Sequence, residues 1–123
     1  MFAVTDRHAS RFLTASTAAC VAACAVATVL PPLLGASTAF TGSVSSSGVL
    51  GLVFAVRNLQ LLRAAGTPSL PPAVLTTVFG GWFMLAPLLY PDVGFLPTAG
   101  TQLAGTVIAT FGLYVVVAGI AAE

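Results

Sequence analysis

The chain reads as an all-α protein, a four-helix transmembrane bundle built from two tandem helical hairpins. Three observations predict this class. Hydrophobic residues make up 58% of the 123 positions and charged residues only 6%, where soluble domains carry about a quarter charged. The mean hydropathy is +1.05, and a domain this small has too little interior to hide that much apolar surface from water. The apolar runs are also long enough to cross a bilayer as helices and are separated by short stretches rich in Pro, Gly and Ser.

The charge balance narrows the function classes. A net charge of +1 leaves too few clustered cations to neutralise phosphates along a nucleic acid, so nucleic acid is excluded as a partner. The lipid bilayer is the expected surrounding.

In chain order, residues 1–11 hold Asp6, Arg7, His8 and Arg11 and are read as a polar tail. The first span covers about 12–34. Ala15, Ala19, Ala23 and Ala27 recur every fourth residue beside Ser16, Cys20, Cys24 and Thr28, a pattern that lets helices approach closely in lipid. A cleaved signal over residues 1–36 is the rival to this span, but the apolar run exceeds a usual signal core. Cys20 and Cys24 share one helical face and are not expected to bridge. They are read as small core residues. Pro31 and Pro32 are expected to end or kink this helix, because each removes a backbone donor.

The uncharged stretch from Gly35 to Ser47 is read as a link, with the second span over about 44–62. Ser47, Gly51 and Ala55 form a small-residue stripe. Ser45, Ser46, Ser47 and Gly48 have neither a nearby base nor a following Lys, and are read as a flexible helix entry rather than a phosphate loop. Arg57 is the deepest charge. It is read as a snorkelling side chain that reaches the interface beside Arg63, with an intramembrane functional arginine as the alternative.

The first hairpin thus occupies 12–66 and the second 67–123, with spans over about 72–90 and 98–121. Pro72 suits the first turn of the third helix, and Pro91 to Pro97 forms a turn around Asp92. Gly105, Gly112 and Gly119 recur every seventh residue on the fourth helix, which implies close contact with a neighbour. Trp82 lies in mid-membrane, where a tryptophan suggests an internal role. The expectation is that its ring packs on Gly105 and Ala109, with its N–H on Thr106 or a carbonyl freed near Pro87.

Arg7 and Arg11 flank the first span and Arg57 and Arg63 close the second. The positive-inside rule then puts both termini and the 63–71 connection in the cytoplasm. The halves superimpose at an offset of 55. Leu30, Pro32, Leu33, Leu34 and Phe40 fall on Leu85, Pro87, Leu88, Leu89 and Phe95 and, after a one-residue gap, Gly51 falls on Gly105. This predicts a duplication about an axis along the membrane normal.

With Gly80-x-Trp82 ahead of Pro87, the segment Gly80-Gly81-Trp82-Phe83-Met84-Leu85-Ala86-Pro87-Leu88 resembles the SPW-repeat family of small prokaryotic integral membrane proteins. The family repeat is a two-helix hairpin with Gly-x-Trp followed by Ser-Pro-Trp. Ala86 stands for its serine and Leu88 for its second tryptophan, while the first half keeps Pro32 and has Ala27 at the tryptophan position. Ala55-Val56-Arg57-Asn58 is similar to the family's second-helix ending. The resemblance implies a multi-pass protein of a prokaryotic plasma membrane and brings no activity.

No residue is assigned a catalytic, cofactor-binding or metal-ligating role. The single histidine, His8, cannot form a triad or a bis-histidine haem site within one chain, and no enzyme activity is expected. The favoured role is structural or accessory, through helix packing with itself as a homo-oligomer or with a membrane-protein partner. The alternative is a small oligomeric transporter or channel for a neutral solute, lined by Thr, Ser and Gln102.

Overall fold

In a computed structural model, described over residues 3–122 for the backbone and 11–121 for side chains, the chain forms four α-helices. These are α1 (Ala3–Leu33), α2 (Thr38–Ala65), α3 (Leu70–Leu89) and α4 (Phe95–Ala122). All four are long and apolar enough to cross a membrane. Each packs on its neighbour in sequence, and α4 closes the ring against α1. The side chains of Asp6, Arg7 and His8 lie outside the described ones, but the backbone from Ala3 is already helical. The expected tail is therefore largely the first two turns of α1.

The end of α1 agrees with the sequence reading: the helix stops at Leu33, one residue after Pro32. Pro31 and Pro32 sit in its last turn, where few downstream hydrogen bonds remain to be lost. The start of α2 differs, because 35–47 is not a link: α2 begins at Thr38, six residues before 44. The Ser37 hydroxyl caps it by accepting the Phe40 N–H at 3.3 Å. Ser47 returns its hydroxyl to the Ser43 carbonyl at 2.8 Å. In lipid such a back-bond satisfies a polar side chain inside the helix, so a Ser-rich run remains helical.

Turn chemistry fixes the remaining ends. Gly66, at φ +80°, donates its N–H to the Leu62 carbonyl and closes α2 with a left-handed cap. Tyr90 is extended at the end of α3, as the residue before Pro91 must be. Asp92, at φ 56°, takes the left-handed residue of the next turn.

The surface is inverted relative to that of a water-soluble protein. Val78, Leu88 and Leu103 are 60%, 69% and 67% exposed, whereas the interior is built of small residues: Cys20, Ala23, Cys24, Ala27, Ala55 and Ala86, with Phe40, Phe83 and Ile108 as its large members. Lipid tails are as apolar as the interior, so close packing must hold the helices together.

The seven-residue glycine stripe of α4 faces α3 along its whole length. A Cβ on Gly105 would lie 2.7 Å from the Gly80 carbonyl oxygen and 2.9 Å from the Met84 nitrogen, and one on Gly112 would strike Thr77. One on Gly119 would lie 2.9 Å from Leu70. Gly80 reciprocates, since its Cβ would lie 2.6 Å from the Ala109 nitrogen. The backbones of α3 and α4 therefore touch. This places the tight contact on Gly80 rather than on Trp82, which lies two residues further and so about 200° around the helix.

The two hairpins repeat one burial pattern, in a register different from the offset of 55. Adding 57 to the buried positions of α2 (Phe40, Val44, Gly48, Gly51, Ala55, Asn58, Leu62) lands on buried α4 positions throughout, and Gly48 falls on Gly105. For α1 and α3 the offset is 56, which pairs Cys24 with Gly80 and buried Pro31 with buried Pro87. The offset of 55 fails because it equates Phe40, fully buried, with Phe95, 81% exposed. In the structural register Val26, not Ala27, stands opposite Trp82. Contacts follow the same register. Gly51 sits over the Cys24 sulfur as Gly80 sits over Ile108, and Gly48 meets Thr28 as Gly105 meets Met84.

The backbone contact predicts an asymmetry between adjacent glycines. Gly80→Ala should lower stability by about 1–3 kcal/mol through overpacking. Gly81→Ala, with open space around its would-be Cβ, should be neutral or stabilising by up to about 1 kcal/mol through helix propensity. Unfolding in detergent measures both, and equal losses would contradict the contact.

Candidate functional site

The polar groups of the bundle fall into two sets: those that hold helices together and those at one end. The first set follows from the prolines. Pro32 has no N–H, so the Thr28 carbonyl four residues earlier loses its helical donor. Ser45 supplies one, its hydroxyl donating to the Thr28 oxygen at 2.7 Å across the α1–α2 interface. The second hairpin has the matching bond, in which the Gln102 side-chain NH₂ donates to the Met84 carbonyl at 3.1 Å. Thr28 corresponds to Met84 and Ser45 to Gln102 in the 56/57 register. One interhelical clamp thus occurs twice, near the proline turn of each hairpin's first helix.

Several buried and half-buried hydroxyls are occupied locally. Thr17, Thr28, Thr76 and Thr77 each donate to the carbonyl four residues back, at 2.7–2.9 Å. Such bonds satisfy the hydroxyl without a partner helix. Ser16 Oγ, Thr101 Oγ1 and Trp82 Nε1 are buried and have no partner among the described residues.

The cysteines share a buried face as expected. Cys20 and Cys24 are free thiols, and the Cys20 sulfur lies 3.8 Å from the Ile108 carbonyl oxygen. Cys24 packs beneath Gly51. In the alanine stripe, Ala23 and Ala27 are buried but Ala15 is exposed. The inward face is shared by Ser16, Cys20, Ala23, Cys24 and Ala27.

Trp82 does not occupy the expected place. Gly105 is filled by Gly80 and Met84, and Thr106 is exposed with its hydroxyl on the Gln102 carbonyl at 2.8 Å. Trp82 instead lies three residues beyond Phe79 on the flank of α3 that turns to α2, where Phe79 stacks on Phe54 at 6.1 Å. It packs half-buried against the main core.

The second set lies around the α2–α3 turn. Asn58, to which the sequence reading assigned no role of its own, is buried, and its side-chain oxygen accepts the Ser69 N–H at 3.2 Å. Ser69 precedes α3 and its own side chain makes no capping bond, so Asn58 caps α3 from the neighbouring helix. Its position was readable, because it continues the buried stripe of Gly51 and Ala55 to Leu62. This bond also sets the depth of Arg57. The arginine stands level with the first residue of α3 and is exposed, as are Arg11 and Arg63. Asp92 lies in the turn at the other end of the bundle.

Among the described residues no three His, Cys, Asp or Glu side chains converge. No family model, curated protein or solved structure matches this chain.

The clamp is testable by a double-mutant cycle. Ser45→Ala should cost about 0.5–1.5 kcal/mol by stranding the Thr28 carbonyl. In a Pro32→Ala background the helix regains its own N–H donor, so the same change should cost almost nothing. An undiminished cost in that background would show that Ser45 acts otherwise.

Proposed function

We propose that this chain is a non-catalytic, multi-pass protein of a prokaryotic plasma membrane that works by packing against a second copy or a membrane-protein partner. The observation that carries this reading is the outer face of α1. Inside the bundle, small residues meet a neighbouring helix: Gly48 on Thr28, Gly51 on Cys24 and Gly80 on Ala109. Ala15, Ala18 and Ala22 form a comparable small-residue face on α1 but point outward. A face of this kind suits close helix association in lipid.

Both termini and the 63–71 connection are placed on the cytoplasmic side. Support comes from Arg11, Arg57 and Arg63, exposed at the end where α2 stops and α3 starts, against Asp92 at the other. Kinship with SPW-repeat proteins is proposed on the Trp82-to-Pro87 spacing and the duplicated hairpin. The register that equates Pro31 with Pro87 adds a proline at the same place in both halves.

Cysteine crosslinking in native membranes tests the role, in a background lacking Cys20 and Cys24. Ala18→Cys and Ala22→Cys should crosslink to a second copy or to one stoichiometric partner, whereas Val78→Cys on the outer face of α3 should not. Crosslinking no greater than that of Val78→Cys would contradict the proposal. Solute flux through liposomes holding the purified protein would favour the transporter reading instead.

A further inference from the structure

The flank of α2 that carries Arg57 holds an open groove of about 370 Å³, lined by Leu52, Val53, Val56, Arg57 and Gln60. We propose that this groove binds an anionic glycerophospholipid, with the phosphate on Arg57 and Gln60 and an acyl chain along Leu52, Val53 and Val56.

The argument rests on depth, polarity and charge together. α3 has 20 residues and is therefore about 30 Å long, the thickness of a bilayer's hydrocarbon core. Its first residue thus marks one edge of that core. The Asn58 bond to Ser69 holds Arg57 at the same level, so the guanidinium stands where lipid phosphates lie. Gln60 is one turn further out, and Val53 one turn further in. The groove is thus polar toward the headgroups and apolar toward the tails, which is the polarity of a lipid in that leaflet. Val53 is 56% exposed, leaving its apolar wall open to a chain.

Charge complementarity selects the headgroup. Asp92 is the only carboxylate among the described side chains and lies at the opposite end of the bundle. Arg57 presents a planar fork that pairs two N–H donors with two phosphate oxygens, and Gln60 adds an amide donor. A zwitterionic lipid carries the same phosphate with a compensating ammonium, so an anionic lipid gains more. The groove occupies a different flank from the outward alanines of α1 and does not rest on the proposed packing role.

Native mass spectrometry of the detergent-purified protein can test this with phosphatidylglycerol, phosphatidylcholine and inorganic phosphate as probes. Phosphatidylglycerol should be retained in preference to phosphatidylcholine. Arg57→Gln should reduce that retention about tenfold, the loss expected for hydrogen bonds to a charged group. Arg63→Gln, at the exposed last turn outside the groove, should leave it unchanged. Val53→Trp should fill the apolar wall and reduce retention while Arg57 is intact. Equal retention by Arg57→Gln and the parent would overturn the proposal. So would an equal loss in Arg63→Gln, which would indicate general surface charge, or binding of inorganic phosphate as tight as that of the lipid. Unfolding in neutral detergent at the parent's temperature verifies that Arg57→Gln remains folded. If it does not, Val53→Trp decides the matter.

Discussion

The backbone contact between Gly80 and Gly105 is the constraint on which the rest of the bundle depends. In lipid no hydrophobic force draws one apolar helix to another, so association relies on close packing and on hydrogen bonds. Only glycine lets two helix backbones meet at this distance, and the pair faces each other across the most extensive interface of the fold. Once α3 and α4 are fixed there, Gly112 and Gly119 settle the remaining length of the interface. The rotation of α3 then sends Phe79 and Trp82 toward α2.

The first hairpin solves the same problem with other residues. Gly48 takes the position of Gly105, while Cys24, a small side chain beneath Gly51, takes that of Gly80. The Ser45 and Gln102 clamps lie at equivalent places and reach carbonyls at equivalent places. In each half the proline of the first helix is buried within one turn of the clamped carbonyl. A proline in a membrane helix needs donors from elsewhere for the groups it frees. For Thr28 the second helix of the same hairpin provides one. The clamping Ser45 and Gln102 therefore serve folding, and the exposed arginines at one end are left to interact with what lies outside.

Much of this was legible in the sequence, for physical reasons that differ between elements. The glycine repeat of α4 announced a close neighbour because glycine is costly in a helix unless the missing side chain is used. The number of spans followed from length and apolarity. The start of α2 was not legible, since Ser and Thr signal a loop in water but return their hydroxyls to the helix in lipid. The repeat register was missed by one to three residues because identities among apolar residues do not report which face is buried. Phe40 and Phe95 match in type and differ wholly in burial. Trp82 was misplaced because its size suggested the central contact, where the tight approach leaves room only for hydrogen. At the charged end the depth of Arg57 was readable, but the capping role of Asn58 beside it was not, although Asn58 is the residue that fixes that depth.

The central claim is that two hairpins are related in the 56/57 register. Disulfide formation in membranes tests it most directly, with Cys20 and Cys24 replaced by alanine. The pairs Thr28→Cys with Ser45→Cys and Met84→Cys with Gln102→Cys should both crosslink within the chain, because each pair stands at the same place in its hairpin. If the first pair crosslinks while the second does not, and Phe83→Cys with Ala99→Cys crosslinks instead, the halves follow the offset of 55 with its one-residue gap and the 56/57 register is wrong.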